Sequence, residues 1–245
     1  MLKKLKNRVD VYFERKIKKL FNKQQKVNQI QFNHAQLNQL FVDTSFYFPF
    51  TTWSMSPSTI IHVLNDIVLN DRKNIIEFGS GASTFYIAKL LKTNSIQASF
   101  FSVESNFEWA NKINKQLDTL GLAKYVTVIY APIQSIERSL ALGEQEVWYD
   151  TTVLNEHLKM MNEVDLVLID GPFGGLTPNA RFSPIPYIKD RLAKSYSIFL
   201  DDVDREDEKH ITQEWIDMLN CSVKKIERYV VLSSNTKFFS KPLQL

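Results

Sequence analysis

The sequence predicts an α/β fold, a doubly wound and mostly parallel sheet of seven strands with an N-terminal helical extension. Three observations predict it. Short apolar runs alternate with segments of helical period from about Asn74 to Lys241. The stretch Ile75 to Lys92, IIEFGSGASTFYIAKLLK, passes from one such run through two glycines into a helical pattern. Acidic residues also recur at the ends of apolar runs, at Glu77, Glu104, Asp170 and Asp201-Asp202, where open α/β sheets bind ligands.

Composition sets the frame. A chain of 245 residues with 44% hydrophobic and 23% charged residues suits one sizeable domain with an extension. No apolar run approaches the ~20 residues that span a bilayer, and the opening MLKKLKNRVD has no signal-peptide core. One cysteine, Cys221, excludes an internal disulfide and a cysteine-based zinc cluster, and a reducing, cytoplasmic setting is expected. The net charge of +3 is uneven: residues 1–30 hold ten Lys/Arg and two Asp/Glu, leaving −5 for the remainder. The basic excess belongs to the arm, so no nucleic-acid partner is expected on the domain.

Taken in order, residues 1–45 form an arm and 46–245 the domain. Leu2, Leu5, Val9, Phe13, Ile17, Leu20 and Phe21 recur at spacings of three and four, which predicts an amphipathic helix with a basic face. Residues 1–27 are expected either to touch a membrane surface, peripherally, or to pack on the domain or a second subunit. The Asn/Gln-rich residues 22–45 read as a linker with a short helix from His34 to Phe41. Phe46 to Ile60 reads as an ordered loop, with Trp53 and Met55 as candidates for covering a ligand or filling a hydrophobic seam. Ser56-Pro57 marks the start of a helix to Leu69.

In the glycine turn, Gly79 and Gly81 permit close backbone approach, and Ser83 and Thr84 open a helix with free backbone N–H groups. Thr84 stands where a dinucleotide fingerprint wants its third glycine, and no Walker lysine follows. Glu77 is expected to face the crevice, disfavouring a pyrophosphate and suiting a cationic amino-acid end. Ala98–Val103 is the second strand. Glu104 after it sits 23 residues beyond Gly81, near the ~20-residue spacing of an acid that grips ribose hydroxyls.

Asn106–Leu120 reads as a helix with Trp109 and Ile113 inward, and Tyr125–Tyr130 as the third strand. Residues 134–163 read as a helix, a break at Gly143 and a second helix from Thr151. Trp148 and Tyr149 carry no functional signal there. Val164–Asp170 is a buried fourth strand leading to a long loop with Arg181. A helix over Pro184–Ala193, a strand over Ser195–Leu200, a helix over Arg205–Leu219 and two final strands, Ser222–Val231 and Thr236–Ser240, complete the reading. The four histidines are scattered, with no metal-ligand spacing.

The pattern E-x-G-x-G-x-S-T at Glu77–Thr84 resembles the first motif of class I S-adenosylmethionine-dependent methyltransferases, which are Rossmann-like. The segments EFGSGAST, VESNFEWA, DLVLIDGP and LDDVDREDEKHITQEW extend the resemblance over roughly the last two thirds of the chain. The IDGP and DDxxR motifs are similar to those of a bacterial methyltransferase group found among glycan or secondary-metabolite genes.

The resemblance implies S-adenosylmethionine as cofactor. Glu77, Gly79, Gly81 and Thr84 would hold its methionine end with Ser80 and Ser83 nearby. Glu104 would hold the ribose with support from Asn106, Pro132 and Ile133 would meet the adenine, and Asp170 would lie beside the sulfonium. Asp170 is then the candidate base, and Arg181 a candidate either for an anionic group on the acceptor or for a structural ion pair. Asp170, Asp201 and Asp202 form a candidate Mg²⁺, Mn²⁺ or Ca²⁺ site, although Asp202 departs from the two-acids-and-Asn set of catechol-type enzymes; the alternative is that Asp201 or Asp202 caps the following helix or pairs with Arg205 or Arg181. The expected reaction is O-methyl transfer to a small molecule or to a sugar or glycan hydroxyl. A catalytically silent cofactor-binding adaptor and another nucleotide-dependent enzyme are the alternatives.

Overall fold

The computed structural model describes residues 2–43 and 49–243, without the side chains of residues 2–9 and 11. The arm–domain boundary at 45/46 falls outside the described residues, as do the side chains of Leu2, Leu5 and Val9. The elements in order are α1 Leu2–Asn38, α2 Pro57–Leu69, β1 Asn74–Phe78, α3 Ala82–Thr93, β2 Ser99–Glu104, α4 Phe107–Thr119, β3 Thr127–Tyr130, β4 Ile133–Ser135, β5 Val147–Tyr149, α5 Thr151–Leu158, β6 Val164–Ile169, α6 Pro184–Ile188, β7 Leu192–Leu200, α7 Glu206–Leu219, β8 Ser222–Ile226 and β9 Tyr229–Ser234.

Seven strands form one sheet in the order β3-β2-β1-β6-β7-β9-β8. All run parallel except β9, which pairs antiparallel with both neighbours. The order reverses between β1 and β6, so the crevice above their carboxyl ends is the topological switch point. The two-residue period of a strand sends successive side chains to opposite faces. Ile75, Leu166, Leu168 and Phe199 thus join one core with α2, α3 and α4. Ile76, Val167, Ile169, Ile198 and Leu200 join the other with α5, α6 and α7.

At the opposite edge of the sheet a buried ion pair ties α2 to β7. Arg72 donates from Nε to Asp66 at 2.8 Å and from its terminal nitrogens to Ser195 O at 2.8 Å and Ser197 Oγ at 2.9 Å. Asp66 also accepts from Asn70 and Ser240. Arg72 is 1% exposed, so these bonds replace its hydration.

Several expectations change. The linker and short helix expected over residues 22–41 are the continuation of one helix, α1, closed by a 3-10 turn at Gln39–Phe41. Residues 22–38 contain no Gly or Pro, and amide pairs Gln24–Asn28 and Gln29–Asn33 bridge successive turns. The helix expected after residue 134 is instead the small hairpin β4–β5.

The helix expected to reach Ala193 is shorter, because β7 begins at Leu192. The expected strand Ser222–Val231 is two strands, reversed where Glu227 takes φ 52°. Residues Thr236–Ser240 form no strand, since Asn70 and Asn65 of α2 satisfy the backbone of Phe238 and Ser240.

Candidate active site

The turn after β1 touches the turn after β6. Gly79 has φ 98°, and a Cβ there would lie 2.8 Å from Gly171 N and 3.0 Å from the Asp170 carbonyl carbon. Both obstacles are backbone, so only glycine fits. Gly81 is different: its backbone is extended, and a Cβ would meet nothing within 4 Å. Its bareness keeps space open. Above both turns lies a cavity of about 720 Å³, lined among others by Gly79, Ser80, Gly81, Ser83, Glu104, Asn106, Tyr149, Asp170 and Arg181.

Glu77 does not face this cavity. It is fully buried beneath the turn, and its carboxylate accepts from Ser83 Oγ, from Thr84 Oγ1 at 2.5 Å and from Ser102 Oγ at 2.6 Å. The expected contact with the cationic end of a ligand is therefore corrected. Glu77 and the equally buried Thr84 shape the turn from below, Thr84 also accepting from Gly81 N–H at 2.9 Å. Burial pushes the Glu77 carboxyl up to about 7, against the pull of its three hydroxyl donors. Ser80 and Ser83 line the cavity, but Ser83 spends its hydroxyl proton on Glu77.

Glu104 is presented differently. At the end of β2 its carboxylate accepts from Asn106 N–H at 2.8 Å and Ser80 N–H at 3.3 Å, and it borders the cavity. Burial raises its pKa, and those backbone donors oppose the rise. Asn106 supports Glu104 through its backbone. Its side chain, expected near the ribose, caps α4 by accepting from Trp109 N–H at 2.9 Å. Trp109 packs inward against the core as expected, and it also lines the cavity and donates from Nε1 to Ser80 O at 2.9 Å. Pro132 and Ile133 are not among the lining residues. They lead into the hairpin, where Pro132 O accepts from Asp150 N–H.

At the opposite side, Asp170, Asp201 and Asp202 converge as the strand ends require. Each offers an oxygen, all within 4.8 Å of one another. Arginines occupy the space around them. Arg181 contacts Asp170 and Asp202, each at 3.2 Å, Arg205 contacts Asp202 at 2.8 Å, and Arg228 contacts Asp201 at 2.9 Å and also Asp202. Arg181 is 5% exposed and also donates to Pro172 O and Asp201 O.

Of its two expected roles these contacts are those of the structural ion pair, its donors holding the acids and the loop, and Arg181 also lines the cavity. Arg205, half exposed at the rim, also lines the cavity. Burial pushes Asp170 up to about 8, with Arg181 opposing. Guanidinium groups take Asp170 Oδ1, Asp201 Oδ2 and both oxygens of Asp202, while Asp201 Oδ1 is buried without a hydrogen-bond partner.

Tyr149 and Arg228 were missed in the sequence. Tyr149 is buried against Gly171, where an added Cβ would meet its hydroxyl at 2.5 Å. Arg228 reaches the acids from the β8–β9 turn, and the sequence there, SVKKIERYVV, has no glycine to mark the turn. Trp53 lies 5.4 Å from Phe173, ring centre to ring centre, over the cavity, and Met55 lines it from a buried position. No histidine lines the cavity.

No family model matches the chain. No curated protein sequence matches it. Solved structures do. A methyltransferase of Podospora anserina, PaMTH1, bound to S-adenosylhomocysteine, superposes with a TM-score of 0.53 at 14% identity, over 81% of this chain and 86% of that one. An O-methyltransferase of Bacillus cereus, also in complex with S-adenosylhomocysteine, gives 0.53 at 12%, over 82% and 91%. A precorrin-6y C5,15-methyltransferase of Geobacter metallireducens gives 0.51 at 16%, over 77% and 94%. The fold is the Rossmann-like α/β fold of these methyltransferases.

Proposed function

We propose that this chain is an S-adenosylmethionine-dependent methyltransferase acting on a hydroxyl of a small molecule, sugar or glycan. One observation carries the reading. A bare glycine turn and an oriented, cavity-facing Glu104 lie at one side of the switch-point cavity, and Asp170 lies at the other. The residues fit the cofactor: Glu104 offers acceptor oxygens for a diol, and Gly79 and Gly81 leave the backbone approachable. S-adenosylmethionine, when bound, supplies an electrophilic methyl group on sulfur.

The chain's own contribution is alignment, which avoids an entropic cost of about 7–11 kcal/mol, and proton removal. Asp170 is the acid positioned for that removal. An ordinary Asp near pKa 3.9 is a poor base for an alcohol, whereas burial raises Asp170 to about 8, closer to the range in which a general base works well. Arg181 positions it, and Arg205 at the rim suits an anionic substituent on the acceptor. No step is routed through a metal ion: the arginines hold Asp170 Oδ1, Asp201 Oδ2 and both oxygens of Asp202.

The test uses methyl-labelled S-adenosylmethionine with panels of sugar, phenol and amine acceptors. Asp170→Asn is expected to lower turnover by about 10²–10⁴-fold while cofactor affinity stays within about threefold. In the wild type, turnover is expected to rise as pH approaches 8 and the carboxylate forms, and to survive chelation. Full activity in Asp170→Asn would remove Asp170 from the chemistry.

A further inference from the structure

We infer that α1 is a docking helix for an anionic lipid surface. The helix is rooted in the domain only near its C-terminal end. Asn33 and Leu37 are buried, and His34 packs edge-on against Phe50 at 5.0 Å. Before that root, every described side chain from Asp10 to Asn28 is exposed. Tyr12, Phe13, Ile17, Leu20 and Phe21 are 55–63% exposed. Phe13, Ile17, Leu20 and Phe21 stand at i, i+4, i+7 and i+8, one stripe along the helix.

Lys16 and Lys23 border that stripe, and Lys19 and Lys26 form the next row round, given 3.6 residues per turn. With Arg15 and Lys18 they make six cations against Asp10 and Glu14. Among the described residues, none of the six has an ion-pair partner.

Charge and bulk together select the occupant. A second copy would bring a net +4 over residues 10–28 (six Lys/Arg, two Asp/Glu) against another net +4, and like charges oppose that pairing. A nucleic acid would match the lysines but would leave four large apolar side chains in water. An anionic lipid surface satisfies both, with the apolar stripe entering the headgroup boundary and lysine stems reaching back to phosphate. No described helix is long and apolar enough to cross a membrane, so α1 lies on the surface. Residues 12–28 would cover about 25 Å of it. The chain beyond residue 30 carries net −5, so the same surface repels the domain and leaves the arm as the contact.

The test is co-sedimentation of the full chain with vesicles of phosphatidylcholine alone or mixed with phosphatidylglycerol. Binding to the anionic vesicles is expected to be at least about tenfold tighter and to weaken with added salt. Two variants separate the components: Ile17→Asp with Leu20→Asp, and Lys16→Glu with Lys19→Glu and Lys23→Glu. Each is expected to reduce vesicle binding to the level of neutral lipid while cofactor binding, which uses the distant cavity, is unchanged.

Equal or absent binding to both vesicle types would overturn the inference. So would sedimentation as a dimer that Ile17→Asp with Leu20→Asp dissociates, without vesicle binding, which assigns the stripe to a second copy. Binding to duplex DNA in place of vesicles, unaffected by Ile17→Asp with Leu20→Asp, would assign the lysines to a nucleic acid.

Discussion

Replacing Glu77 by Gln removes a charge from a place that water does not reach. Three hydroxyls solvate the carboxylate, yet burial still holds its pKa at about 7 against an ordinary 4.5. At about 1.36 kcal/mol per pKa unit, ionising Glu77 in the fold is roughly 3 kcal/mol harder than in the unfolded chain. The sign follows. Below pH 4.5 the group is protonated in both states, and the folded protein keeps its full stability. As pH rises through 7, the unfolded chain has already released the proton and the folded chain must follow, so stability is lost.

Between pH 5.5 and 8 this single group accounts for about 2 kcal/mol of that loss. Urea unfolding of wild type and Glu77→Gln at both pH values isolates it, because Asp170 and Asp201 titrate in both proteins and cancel in the comparison. Wild type is expected to lose about 2 kcal/mol more than the variant over that range. Parallel pH dependences in the two proteins would refute the assignment of Glu77 as a buried group ionising near neutrality.

Three further outcomes follow from the geometry. Gly79→Ala places a methyl against the backbone of Gly171 at a positive φ and is expected to destabilise by at least about 1–3 kcal/mol. Gly81→Ala should leave unfolding midpoints almost unchanged while weakening S-adenosylmethionine binding, because its methyl enters the cavity and nothing else. Arg72→Met leaves Asp66 buried without its cation and is expected to cost about 3–5 kcal/mol in chemical denaturation, with no change in cofactor affinity once the protein is folded.

The sheet was legible because strand burial on both faces produces uninterrupted apolar runs such as VDLVLID. Its acids at strand ends marked the carboxyl edge. The N-terminal helix was cut short because Asn and Gln read as linker, although the absence of Gly and Pro allows a continuous helix. The β8–β9 reversal was missed because Glu227 takes a left-handed conformation without a glycine to announce it.

At the site, sequence spacing located Glu77 and Glu104 equally well but could not tell which one faces the cavity. That distinction depends on the hydroxyls of Ser83, Thr84 and Ser102, which close over Glu77 and leave Glu104 held by backbone N–H groups. Pairing of Asp202 with Arg181 and Arg205 was open in the sequence, whereas Arg228 comes from the distant β8–β9 turn and meets the acids only in space.

Calorimetric titration of the purified chain with S-adenosylmethionine and S-adenosylhomocysteine, alongside Glu104→Ala and Glu77→Gln, tests the central claim most directly. Micromolar binding that falls by at least about tenfold in Glu104→Ala, as expected for losing a charge-assisted hydrogen bond of about 1.5–3 kcal/mol, and persists in Glu77→Gln would support a cofactor cradle centred on Glu104. No heat with either ligand from the folded wild type, or equal affinity in wild type and Glu104→Ala, would contradict it.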